Sequence, residues 1–210
     1  MSRISFGGCR LYVIVDRQAV GPRDPAAVAE AALRGGADVI QWRDKQAPDR
    51  ESLSVARALR DLTGRYRRLL IVNDRVDVAL LAEADGVHLG HQDLPVAEAR
   101  RLVGDSMLIG RSTHSLPEAL EAQSQGADYV GVGPVFQTPT KPDAPAVGLG
   151  LVRQVALAIR IPWVAIGGID QRTLALVLSS GAPRIAVVRA VSGAADPEQA
   201  ARDLKSRLIS

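Results

Sequence analysis

The 210-residue sequence contains few aromatic side chains, a single cysteine and no long apolar run. Phe, Trp and Tyr make up 3% of the residues, whereas 47% are hydrophobic, so we expect an aliphatic core. Lone Cys9 cannot form an intramolecular disulfide, and the N-terminus lacks the pattern of a secretory signal, so we expect a reducing, cytoplasmic setting. No apolar stretch approaches the roughly 18 residues of a membrane span, so an integral membrane protein is not expected.

Net charge is also small. The chain has 26 basic and 23 acidic residues, for a formal charge of +3, although the isoelectric point is about 9.4. Charges of both signs are dispersed, and the few aromatic residues form no stacking platform for bases. We therefore expect neither a nucleic-acid nor a membrane partner.

Short apolar runs alternate with amphipathic segments along the whole chain, which predicts strands and helices in turn. The predicted strands are 11–15, 37–42, 69–72, 86–89, 107–110, 129–132, 162–166 and 184–188. The predicted helices are 25–34, 50–60, 76–82, 96–103, 116–125, 149–158, 171–179 and 197–208. Continuously apolar strands indicate a parallel sheet covered by helices. The eight pairs predict an α/β fold, a single-domain (β/α)8 TIM barrel over residues 1–210, rather than a doubly wound open sheet.

The second predicted strand ends in a polar segment, where the catalytic residues of a barrel would lie. The two-residue period of a strand places Gln41, Arg43 and Lys45 on one face. If Trp42 packs outward under the helices, these donors point into the barrel mouth, where unpaired cations require an anion. The alternative is a strand-end salt-bridge cluster with Asp44.

Two aspartates follow the next two strands. Asn73 and Asp74 end the third strand, and Asp93 follows the fourth. Close carboxylates repel each other unless a proton or cation lies between them, and hard oxygen ligands beside a polyphosphate suit Mg²⁺. The alternative for each aspartate is to cap the N-terminus of a helix.

The three histidines have no ligand spacing for zinc and no obvious Ser or Cys partner. We interpret His88, His91 and His114 as structural or supporting residues.

The remaining strand ends carry hydroxyl groups and glycines. Ser112 follows the fifth strand, and a long proline-rich loop, 133–148, follows the sixth; such a loop is typical of a lid or ligand clamp. Gly167 and Gly168 follow the seventh strand, and a helix N-terminus follows the eighth, which together predict a phosphate cradle. Arg189 could add a cation there or lie on the surface.

Taken in order, these motifs resemble those of the thiamine phosphate synthase family across nearly the whole chain. The resemblance is carried by 11–16, Gln41-x-Arg43-Asp44-Lys45, Val72-Asn73-Asp74, 85–93, 133–141 and 166–169. It implies a (β/α)8 barrel that joins hydroxymethylpyrimidine diphosphate to a thiazole phosphate carboxylate. The products are thiamine phosphate, diphosphate and CO2.

The resemblance also implies the site residues. Mg²⁺ is expected at Asp74 and Asp93. The pyrimidine diphosphate is expected at Gln41, Arg43, Lys45, Asn73, Ser112 and Lys141, of which Arg43, Lys45, Ser112 and Lys141 are the expected catalytic residues. The thiazole phosphate is expected near Thr138, Pro139, Thr140, Gly168, Val188 and Arg189. The family usually has a small residue, often serine, where this chain has Arg189.

Three basic residues, the two aspartates and Mg²⁺ would give this site a charge of roughly +3, which suits a diphosphate ester. The expected partners are therefore small phosphorylated molecules, and a homo-oligomer is left open. The nearest alternative is a related thiazole tautomerase, which would use His114 as its acid and base. Gln41, Asp93, Thr138 and Lys141 favour the synthase. A non-catalytic phosphate-binding barrel would not need the Asp74 and Asp93 pair.

Overall fold

Eight parallel strands close into a barrel in chain order in the computed structural model, which describes residues 6–142 and 144–208. The strands are β1 Leu11–Asp16, β2 Val39–Arg43, β3 Leu69–Asn73, β4 Gly86–Leu89, β5 Leu108–Thr113, β6 Tyr129–Val132, β7 Trp163–Ile166 and β8 Ile185–Val187. β8 pairs with β1 and closes the cylinder. The predicted (β/α)8 barrel is confirmed. Its predicted extent also includes residues 1–5, 143 and 209–210, which lie outside the described residues.

Helices follow the strands. They are α1 Arg17–Val20, α2 Pro25–Arg34, α3 Asp49–Tyr66, α4 Val76–Leu81, α5 Val96–Val103, α6 Leu116–Ser124, α7 Gly148–Ala158, α8 Leu174–Ser179, α9 Arg189–Ser192 and α10 Pro197–Ser206, with a 3₁₀ turn at Phe6–Gly8. The sequence pattern predicts no range for α1 or α9, because four residues are too few to show a helical period. The helix N-terminus expected after the eighth strand is that of α9. Among the described residues, no helix combines the length and apolar character needed to cross a bilayer.

The apolar residues form two layers. Trp42 is buried, and its Nε1 donates to Ser52 Oγ of α3 at 3.2 Å, so this side chain packs outward between strand and helix. Gln41 and Arg43, its neighbours on β2, accordingly line the cavity inside the barrel. A smaller apolar cluster, separate from the layer under the helices, fills the barrel interior.

Aromatic side chains occupy the centre of that interior. Phe6 stacks on Tyr129, with ring centroids 4.0 Å apart, and the hydroxyl groups of Tyr129 and Tyr12 are 3.1 Å apart. β5 passes this cluster at Gly110. A methyl group at Gly110 would lie 2.5 Å from His88 Nδ1 and closer still to the Tyr129 ring. The barrel therefore needs a residue without a side chain at this position.

Replacing Gly110 by alanine tests this packing requirement. We expect Gly110→Ala to lower the free energy of unfolding by about 1–3 kcal/mol, because an overpacked interior must shift strands or rotate side chains. Gly150→Ala is the matched control: apart from the local backbone of α7, no atom of the described residues lies within 4 Å of the added methyl group. Alanine there should raise stability by roughly 0.5 kcal/mol through helix propensity. Equal effects of the two variants in urea denaturation would contradict this packing.

Candidate active site

A cavity of about 470 Å³ opens at the carboxyl ends of the strands. Its lining includes most of the residues predicted for the site: Gln41, Arg43, Asn73, Ser112, Thr138, Pro139, Thr140, Lys141, Gly168, Val188 and Arg189. Lys45, Asp74 and Asp93 are not among the lining residues. They form an adjoining cluster whose charges act on Lys141. The structure thus gathers the predicted residues from both halves of the chain around one opening.

Arg43 is paired with a carboxylate on the neighbouring strand. Its Nη1 forms an ion pair with Asp16 Oδ2, and the two residues are register partners in the β1–β2 ladder. The other oxygen of Asp16 accepts from the backbone N–H groups of Gln18 and Ala19, both at 3.1 Å, and caps α1. Asp16 was missing from the expected site charge of roughly +3, which falls to roughly +2 when this carboxylate is included.

The alternative prediction, a salt-bridge cluster of Arg43 and Lys45 with Asp44, is wrong about the acidic partner. Asp44 Oδ1 accepts from the backbone N–H groups of Gln46 and Ala47, at 2.8 and 3.0 Å, and so shapes the turn after β2. The strand-end cations pair instead with Asp16 and, in the case of Lys45, with Asp74. Both cations are therefore charge-balanced without the residue that lies between them in sequence.

Asp74 and Asp93 lie side by side at the ends of β3 and β4. Lys45 Nζ is 3.2 Å from Asp74 Oδ2, and the backbone N–H of Gly90 donates to Asp93 Oδ2 at 2.6 Å. Burial, and after it the neighbouring Asp93 carboxyl, raises the pKa of Asp74, while Lys45 opposes the shift. The pair therefore favours a proton or a cation between its oxygens.

Neither aspartate caps a helix. The N-cap of α4 is Arg75 and that of α5 is Pro95, and neither helix start has a side-chain cap. Asp74 has a φ of 63°, in the left-handed region that non-glycine residues seldom adopt. The capping alternative is therefore wrong for both residues, and the local backbone holds Asp74 in an uncommon conformation beside Asp93.

In the described part of the chain, no three His, Cys, Asp or Glu side chains gather as a metal-binding group. A cation between Asp74 and Asp93 would thus have two carboxylates from the protein, and its other ligands would be water or substrate oxygens. Mg²⁺ is commonly held in this way beside phosphates.

The loop after β6 lies over the end of β7. Val135 and Phe136 donate their N–H groups to the carbonyls of Ile166 and Gly167, at 2.8 and 3.0 Å. Gly168 has a φ of 64°, and a methyl group there would lie 2.7 Å from Phe136 Cβ. This close approach requires glycine. The loop is therefore fixed to the same strand end that was predicted to hold a phosphate.

Lys141 lies further along this loop. Its backbone N–H donates to the Thr138 carbonyl at 3.3 Å, which forms a turn. Desolvation lowers the pKa of Lys141, and the nearby charges of Arg43 and Lys45 lower it further. The loop thus brings a third cation toward the two at the end of β2, in a position where its charge calls for an anion.

Among the described residues, hydrogen bonds of the imidazole ring are found for two of the three histidines. His88 Nε2 is 2.9 Å from Ser112 Oγ, and its Nδ1 is 3.1 Å from the Tyr129 hydroxyl. Burial, and after it the charge of Lys141, lowers the pKa of His88 to about 4, so the ring is neutral at pH 7. His114 Nδ1 is hydrogen-bonded to the Gly133 carbonyl at the start of the loop.

Arg189 is exposed at the first position of α9 and lines the cavity beside Val188. Gly167 and Gly168, on the adjacent strand end, have positive φ values. The sequence pattern predicts that the glycines after β7 lie beside the residues that follow β8, as the structure shows. It did not identify Asp16 as a partner of Arg43, and the expectation that the histidines have no serine partner is wrong for His88, which contacts Ser112 as well as Tyr129. No local motif connects residues so far apart in sequence.

Comparison with known proteins agrees with this geometry. The family model described as thiamine monophosphate synthase matches residues 11–191. A thiamine-phosphate synthase of Chloroflexus aurantiacus is 54% identical over 198 residues, covering 94% of this chain and 91% of the relative. One from Synechococcus sp. strain CC9311 is 52% identical over 179 residues, covering 85% of this chain. The chain spans about half the length of that second relative, at 51%.

A solved structure extends the match to the fold. Thiamine phosphate pyrophosphorylase from Pyrococcus furiosus superposes with a TM-score of 0.89 at 42% identity, covering 97% of this chain and 96% of that one. Both the sequence match and this structural match run through the strand ends and the loop that build the cavity. The chain therefore belongs to the thiamine monophosphate synthase family.

Proposed function

We propose that this barrel joins 4-amino-2-methyl-5-hydroxymethylpyrimidine diphosphate to a thiazole phosphate, with or without its carboxylate. The products are thiamine phosphate, diphosphate and, from the carboxylated substrate, CO2. One observation carries the proposal: a single cavity is lined by Arg43 and Lys141, with Lys45 and the paired carboxylates adjoining them, and also by the glycine-rich end of β7. Two anionic groups can then be held with their organic parts facing each other between them.

The diphosphate would bind at the side formed by Arg43, Lys45 and Lys141. A guanidinium group has five N–H donors, so the ion pair with Asp16 leaves Arg43 able to bind an anion as well. Burial, and after it the positive charges of Arg43 and Lys45, lowers the pKa of Lys141, and an arriving diphosphate would favour its charged form again. Anion binding at this side would thus offset the repulsion between these three cations.

We propose Asp74 and Asp93 as the residues that hold Mg²⁺. Their closeness, the raised pKa of Asp74 and the absence of any capping role support this assignment. When bound, Mg²⁺ supplies positive charge that stabilises the departing diphosphate. Gly90 fixes one oxygen of Asp93 through its backbone N–H, which leaves the other oxygen available for the ion.

The proposed reaction begins with departure of the diphosphate. The bond between the methylene carbon and the diphosphate oxygen breaks, its electron pair leaves with the diphosphate, and the aminopyrimidine ring stabilises the resulting cation. Arg43, Lys45 and Lys141 stabilise the charge that develops on the leaving group. The thiazole nitrogen then forms the new C–N bond. With the carboxylated substrate, the ring carbon loses CO2, keeps the electron pair of the broken C–C bond and takes up a proton from water.

The protein's remaining contribution is positioning. The thiazole phosphate would bind near Thr138, Thr140, Gly168 and Val188, which line the same cavity as Arg43 and Lys141. Holding the nitrogen and the carbon in contact removes the entropic cost of their encounter. Arg189, exposed at the same edge, would meet the phosphate from the solvent side. Asn73 and Gln41 line the interior between the two anionic groups and would contact the pyrimidine.

A thiazole tautomerase is the second candidate, and one observation counts against it. Its reaction needs no diphosphate site, whereas Arg43, Lys45 and Lys141 converge beside two carboxylates. A non-catalytic phosphate-binding protein would have no use for that convergence.

The proposed partners are the small phosphorylated substrates. We also propose a cytoplasmic location, because the chain has a single cysteine, Cys9, and cannot form an intramolecular disulfide. Burial raises the pKa of Cys9 to about 11, so the thiol is neutral and unreactive at pH 7.

Incubation with both phosphorylated precursors and Mg²⁺ tests the proposed activity directly. We expect thiamine phosphate and diphosphate in equal amounts, measured by chromatography and by a coupled diphosphate assay. The thiazole substrate should be supplied with and without its carboxylate. Absence of product with both authentic thiazole substrates would refute the synthase assignment.

Asp93→Asn tests the metal assignment while keeping an oxygen that can accept from Gly90. We expect activity to fall by about 10²-fold or more, because a metal's stabilisation of charge is worth several kcal/mol. The variant should also lose any rise in melting temperature that Mg²⁺ and diphosphate together give the parent protein. Asp77→Asn is the control, since Asp77 is exposed and pairs with Arg75. Full activity in Asp93→Asn would show that the ion binds elsewhere.

Asp74→Asn tests the electrostatic strain in the metal-free protein. The raised pKa of Asp74 means that its ionised form costs stability, and this cost vanishes as the pH falls toward the ordinary value of 3.8. Asp74→Asn should therefore stabilise the fold at pH 7, by an amount that shrinks between about pH 7 and pH 4. Asparagine also tolerates a positive φ, and this contribution to the free energy of unfolding does not depend on pH.

Asp77→Asn provides the opposite case. A hydrogen bond from Arg75 lowers the pKa of Asp77, so its ionised form adds stability at pH 7. Its replacement should destabilise the fold at pH 7. This loss of stability should become smaller as the pH falls. Urea denaturation with a chelator present measures both variants. Destabilisation by Asp74→Asn at pH 7 would contradict the repulsion between the paired aspartates.

A further inference from the structure

Five polar side chains form a continuous line of hydrogen bonds across the barrel interior. The line runs from Gln41 Nε2 to the Tyr12 hydroxyl at 2.7 Å, and from there to the Tyr129 hydroxyl at 3.1 Å. It continues to His88 Nδ1 at 3.1 Å, and from His88 Nε2 to Ser112 Oγ at 2.9 Å. We call these five residues the tyrosine–histidine chain. Its members come from five different strands.

The middle of the chain is closed to solvent. Tyr12 is 2% exposed and Tyr129 is 0% exposed. Their hydroxyl groups must therefore find their partners among the neighbouring side chains, because a buried donor without an acceptor costs about 1–3 kcal/mol. Each hydroxyl has one proton to give, so assigning one bond assigns the next.

The direction of the chain is set at Gln41. Its amide nitrogen can only donate, so the Tyr12 oxygen accepts, and the single Tyr12 proton goes to the Tyr129 oxygen. The Tyr129 proton then goes to His88 Nδ1. A nitrogen that accepts carries no proton, so the imidazole is neutral and its proton lies on Nε2. That proton is donated to Ser112 Oγ.

The consequence concerns Ser112. A serine 2.9 Å from a histidine nitrogen ordinarily indicates a nucleophile and its general base. In this chain the histidine gives a proton to the hydroxyl oxygen instead of accepting one from it. The proton of Ser112 is then free to point into the cavity that Ser112 lines.

We propose that the tyrosine–histidine chain makes Ser112 a hydrogen-bond donor to the leaving diphosphate rather than a nucleophile, with Tyr12, Tyr129 and His88 as positioning residues. This inference rests on the proposed function. A donor aimed where negative charge develops stabilises the departure of an anion. A hydroxyl locked as a donor needs no reorientation during the reaction.

The two ends of the chain fit one ligand. With its nitrogen engaged, Gln41 has its carbonyl oxygen left to accept, and Gln41 also lines the cavity. A ligand with an amino group at one end and an anion at the other would therefore match Gln41 and Ser112 together. Gly110 leaves the space in which His88 and Tyr129 meet.

Nitrogen-15 NMR of the histidine side chains tests the direction of the chain without any substrate. His88 is assigned by comparison with His88→Gln. We expect a protonated Nε2 and an unprotonated Nδ1 in the parent protein at pH 7. Tyr129→Phe removes the donor to Nδ1 and should allow a mixture of the two neutral forms. A proton on Nδ1 in the parent protein would reverse the chain and overturn the proposal.

A double-mutant cycle tests whether the chain acts through Ser112. Tyr129→Phe should lower kcat by about tenfold, less than the roughly 10²-fold cost of losing such a donor outright, with KM for the thiazole phosphate unchanged. In a Ser112→Ala background the same change should cost nothing further. Tyr66→Phe is the matched control, because Tyr66 bonds to Glu30 at 3.3 Å on the outer helices.

The outcomes separate this inference from the proposed function. Additive losses in the cycle would mean that Tyr129 acts on the fold and not through Ser112, and would overturn the inference. If Tyr129→Phe does not fold, Tyr12→Phe removes the preceding link and should lower kcat in the same direction. A parent protein that makes no thiamine phosphate refutes the proposed function, whereas the NMR result still decides the direction of the chain.

Discussion

The pairing of each strand-end cation with a carboxylate is the interaction on which the rest of the site depends. Arg43 is paired with Asp16 across the β1–β2 ladder, and Lys45 with Asp74 at the end of β3. Positive charges at the mouth of an apolar barrel would otherwise be costly. These pairs keep the cations ordered in the absence of a ligand. Because Asp74 also lies against Asp93, the same pairing holds the proposed metal ligands beside the proposed diphosphate site.

The barrel interior contributes the second constraint. The fold fills its centre with two tyrosines whose hydroxyl groups must be satisfied without water. Their only route to satisfaction among the described partners runs through Gln41 at one end and His88 at the other. Packing and catalysis are therefore linked: the side chains that close the barrel also determine how Ser112 presents its hydroxyl group.

The sequence predicts the barrel well because eight apolar runs separated by amphipathic helices leave few other folds. It also places Gln41 and Arg43 inside correctly, since the two-residue period and the bulk of Trp42 decide which side of β2 faces the helices. It does not reveal the partner of Arg43, because Asp16 is joined to it only by strand register. Nor does it reveal the contact of Tyr12 with Tyr129, which are 117 residues apart. Such contacts follow from barrel closure and leave no local pattern.

Calorimetric binding of inorganic diphosphate, with and without Mg²⁺, tests most directly whether Asp74, Asp93 and the neighbouring cations form a metal–diphosphate site. The repelling carboxylates and the three nearby cations predict that Mg²⁺ and diphosphate each strengthen the binding of the other. Diphosphate should then bind much more tightly when Mg²⁺ is present, and Mg²⁺ alone should bind weakly. Equal affinity for diphosphate in the presence of Mg²⁺ and of a chelator would contradict the role assigned to Asp74 and Asp93.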